Sequence, residues 1–168
     1  MAHARAGSKQ ALWGLAVLRE ALMAGSFASV LSAFALAWAG HSEVRSAVAP
    51  LNAVSHWRWG RPAFHQREFS VRHTLLGYCI HHCASIWWAA VHAAAMMHHP
   101  RSQQPAQVVA GALTTSVVAC LVDFKCTPER LKPGFEHHLS RPQLGGVYLA
   151  FAAGLALGAM LARSGKTP

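Results

Sequence analysis

The chain has 168 residues, of which 53% are hydrophobic and only 12% charged, about half of the roughly 25% charge usual in a soluble globular domain. This excludes an ordinary water-soluble domain, because the apolar excess must face lipid. The net charge is +9, yet the Lys and Arg residues are scattered over every extramembrane segment without a dense stripe. Anionic lipid headgroups, rather than nucleic acid, are therefore the expected partner.

Arg5 and Lys9 precede an apolar stretch over 11–18 in the manner of a signal peptide, but Arg19 and Glu20 interrupt it. Residues 11–20 are accordingly read as an interfacial lead-in to an uncleaved first spanning helix over 21–40. Further uncharged runs cover 74–97, 106–122 and 144–161, each close to the length of about 20 residues that crosses a bilayer. The expected fold is all-α: a polytopic, four-transmembrane-helix bundle forming one integral membrane domain over 1–168, with a short interfacial helix in the first loop. In outline it is similar to small multi-pass proteins of the bacterial inner membrane.

After Gly40, Ser42 is placed to cap that interfacial segment, which carries Val44, Val48, Leu51 and Val54 toward Trp57 and Trp59. Gly60 and Pro62 stop it, and the paired Trp beside Arg58 and Arg61 suits anchoring at the membrane interface. Ser70 is the expected N-cap of the second span, which Pro100 ends. Pro105 suits the first turn of the third, and the short connection makes spans two and three an antiparallel hairpin. Beyond Asp123, Thr127 and Pro128 predict one or two helical turns, ended by Pro133 and Gly134. Ser140 with Gln143 reads as a capping box for the last span.

Small residues recur every four positions in the first span (Ala21, Gly25, Ser29, Ala33, Ala37) and the fourth (Gly146, Ala150, Gly154, Gly158, Ala162). Such ladders let helix backbones approach closely in lipid, where little hydrophobic drive remains. They predict packing between these two helices or a homo-oligomer through the same faces. Topology puts six of the 15 Lys and Arg on the side of the termini and nine on the long-loop side. That count places the long loops in the cytoplasm, whereas the charges flanking the first helix favour the reverse, so the sequence assigns no orientation.

Chemistry concentrates on the second span, whose 24 residues lack Lys, Arg, Asp and Glu but include His81, His82 and His92. Ionisable groups at that depth commonly mark a functional site. His81 and His92 are three helical turns apart and share a face, and Gly77, one turn before His81, leaves a notch for a ligand or another helix. The other spans offer His81 no interior charged partner, so a hydrogen bond to Ser, Thr or backbone is expected. A metal ion would draw its ligands from His73, His81, Asp123, Cys126 and His137, since first-row metals take imidazole, thiolate and carboxylate. No HExxH or paired CxxC supports that spacing, and Cys79 with Cys83 forms only a CxxxC. A b-type haem would need His73, His81, His82 or His92 together with His137 or a second subunit. Transport or proton relay is a third reading, from the buried imidazoles and Asp123.

No nucleophile is paired with a base: Ser85, Thr114, Thr115 and Ser116 are expected to bond their own helix backbone. The doublets His81–His82, His98–His99 and His137–His138 raise a pH-sensing role. The reading that follows is a multi-pass membrane protein acting as an accessory or structural component, with metal or haem binding as the alternative.

Overall fold

A computed structural model describes residues 2–98 and 104–164, with side chains from residue 12 onward. The described residues are helical and contain no strand. The elements are α1 (Ala2–Val44), α2 (Ala49–Val54), α3 (His56–Trp59), α4 (Leu76–Met97), α5 (Pro105–Leu121) and α6 (Arg141–Ser164). Three of them are long and apolar enough to cross a membrane, over Leu12–Val44, Pro105–Cys126 and Arg141–Ser164. At 22 residues α4 matches them in length, but its three His, with Tyr78, Trp87 and Trp88, dilute its hydropathy.

Small residues decide how α1 is packed. A Cβ on Gly154 or Gly158 would lie 2.6 Å from Ala28 Cα or 2.5 Å from Ala24 Cα, so α6 runs antiparallel against α1 at backbone contact. The row met on α1 is Ala24 and Ala28, one position off the Gly25 and Ser29 row of the sequence ladder. Gly25 serves a different neighbour, because its missing Cβ admits Ile86 of α4 at 2.6 Å. Helix α1 is thus clasped on two faces, with α4 and α6 both antiparallel to it. Helix α5 packs chiefly along α6 and touches α4 little. One apolar core lies toward the α4–α5 connection around Trp88, Ala112 and Leu155, and a second toward the long loops around Leu36, Leu51, Phe135 and Val147.

The first loop departs from expectation. Helix α1 continues to Val44, and Ser42 donates to Ala39 O within it. The hydroxyl of Ser46 instead accepts the N–H of Ala49 and starts the next segment. That segment is no surface helix: every residue from Ala49 to His56 is buried. Its Leu51 carbonyl fills the notch at Gly77, where a Cβ would sit 1.9 Å from the oxygen. The notch takes another helix.

Ser70 accepts from His73 N–H at 3.1 Å, as an N-cap should, although the first turn after it, Val71–Leu75, is a π-turn. Pro105 opens α5, whereas Pro100 and His99 lie outside the described residues. A second π-turn, Val122–Cys126, follows α5. Thr127 does not cap the next turn but donates its hydroxyl back to Val122 O, and Glu129–Leu131 form a single 3-10 turn. Ser140 gives its amide and its hydroxyl to the Glu43 carboxylate. Glu43 thereby takes the amide that a capping box would have given to Gln143, joining the end of α1 to the start of α6.

Candidate functional site

Because α5 leans on α6, a space of about 350 Å³ opens between α4 and α5 on the long-loop side. Its walls are mostly apolar: Ile80, Trp87 and Trp88 from α4, Phe151 from α6, and Phe135 and Leu131 from the last loop. Trp57 closes it from the first loop, held by its indole N–H to Lys132 O at 2.9 Å. Trp87 is 58% exposed, so one wall of the cavity reaches the outer surface of the helices.

Two polar pairs sit in this lining. His81 Nε2 lies 2.9 Å from Ser32 Oγ of α1, the serine bond its apolar surroundings led us to expect. The one proton of that hydroxyl goes to Ala28 O at 2.7 Å, so Ser32 accepts and the imidazole donates from Nε2. Across the cavity, Tyr148 OH donates to Asp123 Oδ2 at 2.6 Å, and the π-turn carries Asp123 at the α5 end of the space. One ring nitrogen of His81 and one carboxylate oxygen of Asp123 thus have partners within the protein, which lowers the cost of holding these groups away from water.

The five proposed metal ligands are dispersed. His73 pairs with Ser70 Oγ at 3.1 Å, Cys126 is a free, exposed thiol, and His137 stacks on Phe64 at 4.2 Å between ring centroids. Only His81 and Asp123 share the cavity. Among the described residues no three His, Cys, Asp or Glu side chains come together in a way that could hold a metal ion.

Of the four candidate hydroxyls, Ser85 and Thr114 bond their own helices, through His81 O and Ala110 O. Ser116 instead reaches Tyr148 O of α6 at 2.6 Å, and Thr115 faces His92 Nδ1 at 3.3 Å. His82 stacks on Tyr78. His92 does not line the cavity but is buried toward the other end of α4, its Nε2 without a hydrogen-bond partner among the described residues.

Comparison with known protein families, curated proteins and solved structures finds no match.

Two buried polar centres escaped the sequence reading. Glu20 and Arg163 form a bidentate ion pair between α1 and α6, at 2.5 and 2.9 Å, with side chains 5% and 7% exposed. Residue 20 thus faces α6 rather than the outer surface of α1. Asn52 is fully buried in α2, donates to Gln66 O and Glu68 O, and accepts from Thr74 Oγ1 at 2.6 Å. Asn52 interrupts an apolar stretch, which was its one visible signal. Glu20 carried none, because its partner is 143 residues away.

Proposed function

We propose that the chain is a four-span integral membrane protein of the bacterial inner membrane, acting as an accessory component rather than an enzyme, whose cavity between α4 and α5 holds a lipid acyl chain. The observation that carries this reading is the state of the cavity's polar groups. His81 Nε2 is paired with Ser32 and Asp123 Oδ2 with Tyr148, and the surface left for a guest is mostly aromatic and aliphatic. Preformed apolar cavities with a few fixed polar groups are ordinary ligand sites. Among the described residues no specific contact favours metal binding, haem binding or transport.

The fourth span is supported by register. Gly25 meets Ile86 and Ser32 meets His81, so α4 runs at the same depth as α1, which itself is long and apolar enough to cross. Reporter fusions test this: four spans put both termini on one side, whereas three would separate them. For the guest, extraction into polymer-bounded lipid discs followed by mass spectrometry should find lipid retained through delipidation, and Ala84→Phe, at an α4 residue that lines the cavity, should release it. Equal retention by the two proteins would refute the acyl-chain reading.

A further inference from the structure

A second, larger cleft of about 940 Å³ lies among the loops, on the other side of Trp57 from the cavity. Its chemistry is opposite. Arg58, Arg61, Arg130, His65, His137 and His138 line it, and its one acidic residue, Glu129, is held by Lys132 at 2.6 Å. No described carboxylate pairs with any of the three arginines. Arg58 and Arg61 project from α3 and from the 3-10 turn after it, and Arg130 from the turn opposite. Three like charges facing one cleft repel one another, and an anionic occupant would relieve that repulsion.

The surroundings hold Arg58 and the aromatic walls in place. Trp57 is fixed by Lys132 O and Trp59 by Arg72 O. Arg58 and Arg72 lie over the Trp59 ring at 4.7 and 4.0 Å. Phe64 is stacked between His56 and His137 at 4.8 and 4.2 Å. His138 is also in the lining, its Nε2 buried with no hydrogen-bond partner among the described residues. Guanidinium groups recognise phosphate oxygens through paired N–H donors, so the chemistry that fits is phosphate.

The position of the cleft selects the source of that phosphate. Beside Trp59, at the entry to α4, Phe69, Val71 and Leu75 are 70%, 67% and 52% exposed. An apolar rim next to fixed Trp and Arg side chains is the composition of a membrane interface, where headgroups lie. We propose that this cleft is a binding site for a phospholipid headgroup carrying two negative charges, on one phosphate or two. The proposal rests on the membrane-spanning reading but not on the acyl-chain guest.

Full-length protein, delipidated and reconstituted into phosphatidylcholine nanodiscs, would be titrated with phosphatidic acid, cardiolipin or phosphatidylglycerol at matched total charge, with lipid retention read by native mass spectrometry. Either doubly charged lipid should bind about tenfold more tightly than phosphatidylglycerol. The combined variant Arg58→Gln, Arg61→Gln, Arg130→Gln should lose that preference, while Lys125→Gln with Arg141→Gln, on the same side but outside the cleft, should keep it. Should the triple variant misfold, Arg130→Gln alone, on an exposed turn, should lose about threefold. Equal binding of all three lipids, or equal loss in cleft and control variants, would mean diffuse surface attraction and overturn the site. Full displacement by glycerol 3-phosphate would overturn the lipid source. Failure of the protein to float with vesicles would instead defeat the spanning reading, and this proposal with it.

Discussion

At the scale of single residues, the buried polar side chains carry the most checkable consequences. Asn52 satisfies two carbonyls and one hydroxyl that belong to the segment between α3 and α4. Asn52→Ala removes three hydrogen bonds from a fully buried amide and should cost about 3 kcal/mol, at about 1 kcal/mol for each bond. Denaturant unfolding in detergent measures it, and a loss below about 1 kcal/mol would show that water replaces the amide. His138 gives a pH dependence. Burial, then Arg67 and His137, hold its pKa below the ordinary imidazole value, with His65 adding to this and a backbone hydrogen bond at Phe64 opposing it. The folded loops therefore bind fewer protons at His138 than the opened loops do. The stability this contributes is present above the ordinary value of 6.5 and is lost as pH falls through the folded pKa. The local opening of residues 134–139, read from hydrogen exchange corrected for its intrinsic pH dependence, should rise between pH 7 and about pH 5. His138→Asn should flatten that rise, and an unchanged pH profile in the variant would show that His138 does not carry the effect. Little of this was legible beforehand: imidazoles at 137 and 138 could be counted, but which is buried depends on the fold of two loops.

At the scale of elements, glycines set which helices touch. Gly77 is the sharpest case, because a methyl group there would lie 1.9 Å from the Leu51 carbonyl oxygen. That clash is with backbone, which has no rotamer to move, so Gly77→Ala should displace α2 and cost at least about 2–3 kcal/mol. Gly146, a member of the same small-residue ladder as Gly154, has open space around it, and Gly146→Ala should be neutral or slightly stabilising because alanine favours the helix. Parallel thermal melts of the two variants test this, and equal effects would contradict the packing. The four-residue ladders were plain in the sequence, and so was the close approach they demand. Which rung meets which neighbour was not, since Gly25 and Gly154 look alike in sequence yet serve different helices. The π-turns after Ser70 and at Val122–Cys126 had no sequence signal that separates them from α-helix.

At the scale of the whole molecule, the Glu20–Arg163 pair joins the two ends of the described chain. Glu20→Ala removes a bidentate, charge-assisted contact at a buried site and should destabilise by about 3 kcal/mol, whereas Glu20→Met with Arg163→Met should recover most of it. Unfolding of the single and double variants in mixed micelles gives the comparison, and a double variant as weak as the single one would show that the pair contributes more than it costs. The sequence by itself determined that apolar helices long enough to cross a membrane make up the chain and that their small-residue faces pack closely. Those properties follow from composition and four-residue spacing within one helix. The tertiary structure alone decided that α5 leans on α6 and leaves a cavity beside α4, that α2 enters the notch at Gly77, and that three arginines from separate turns face one cleft. Such contacts depend on side chains brought together from distant parts of the chain, and no local periodicity records them.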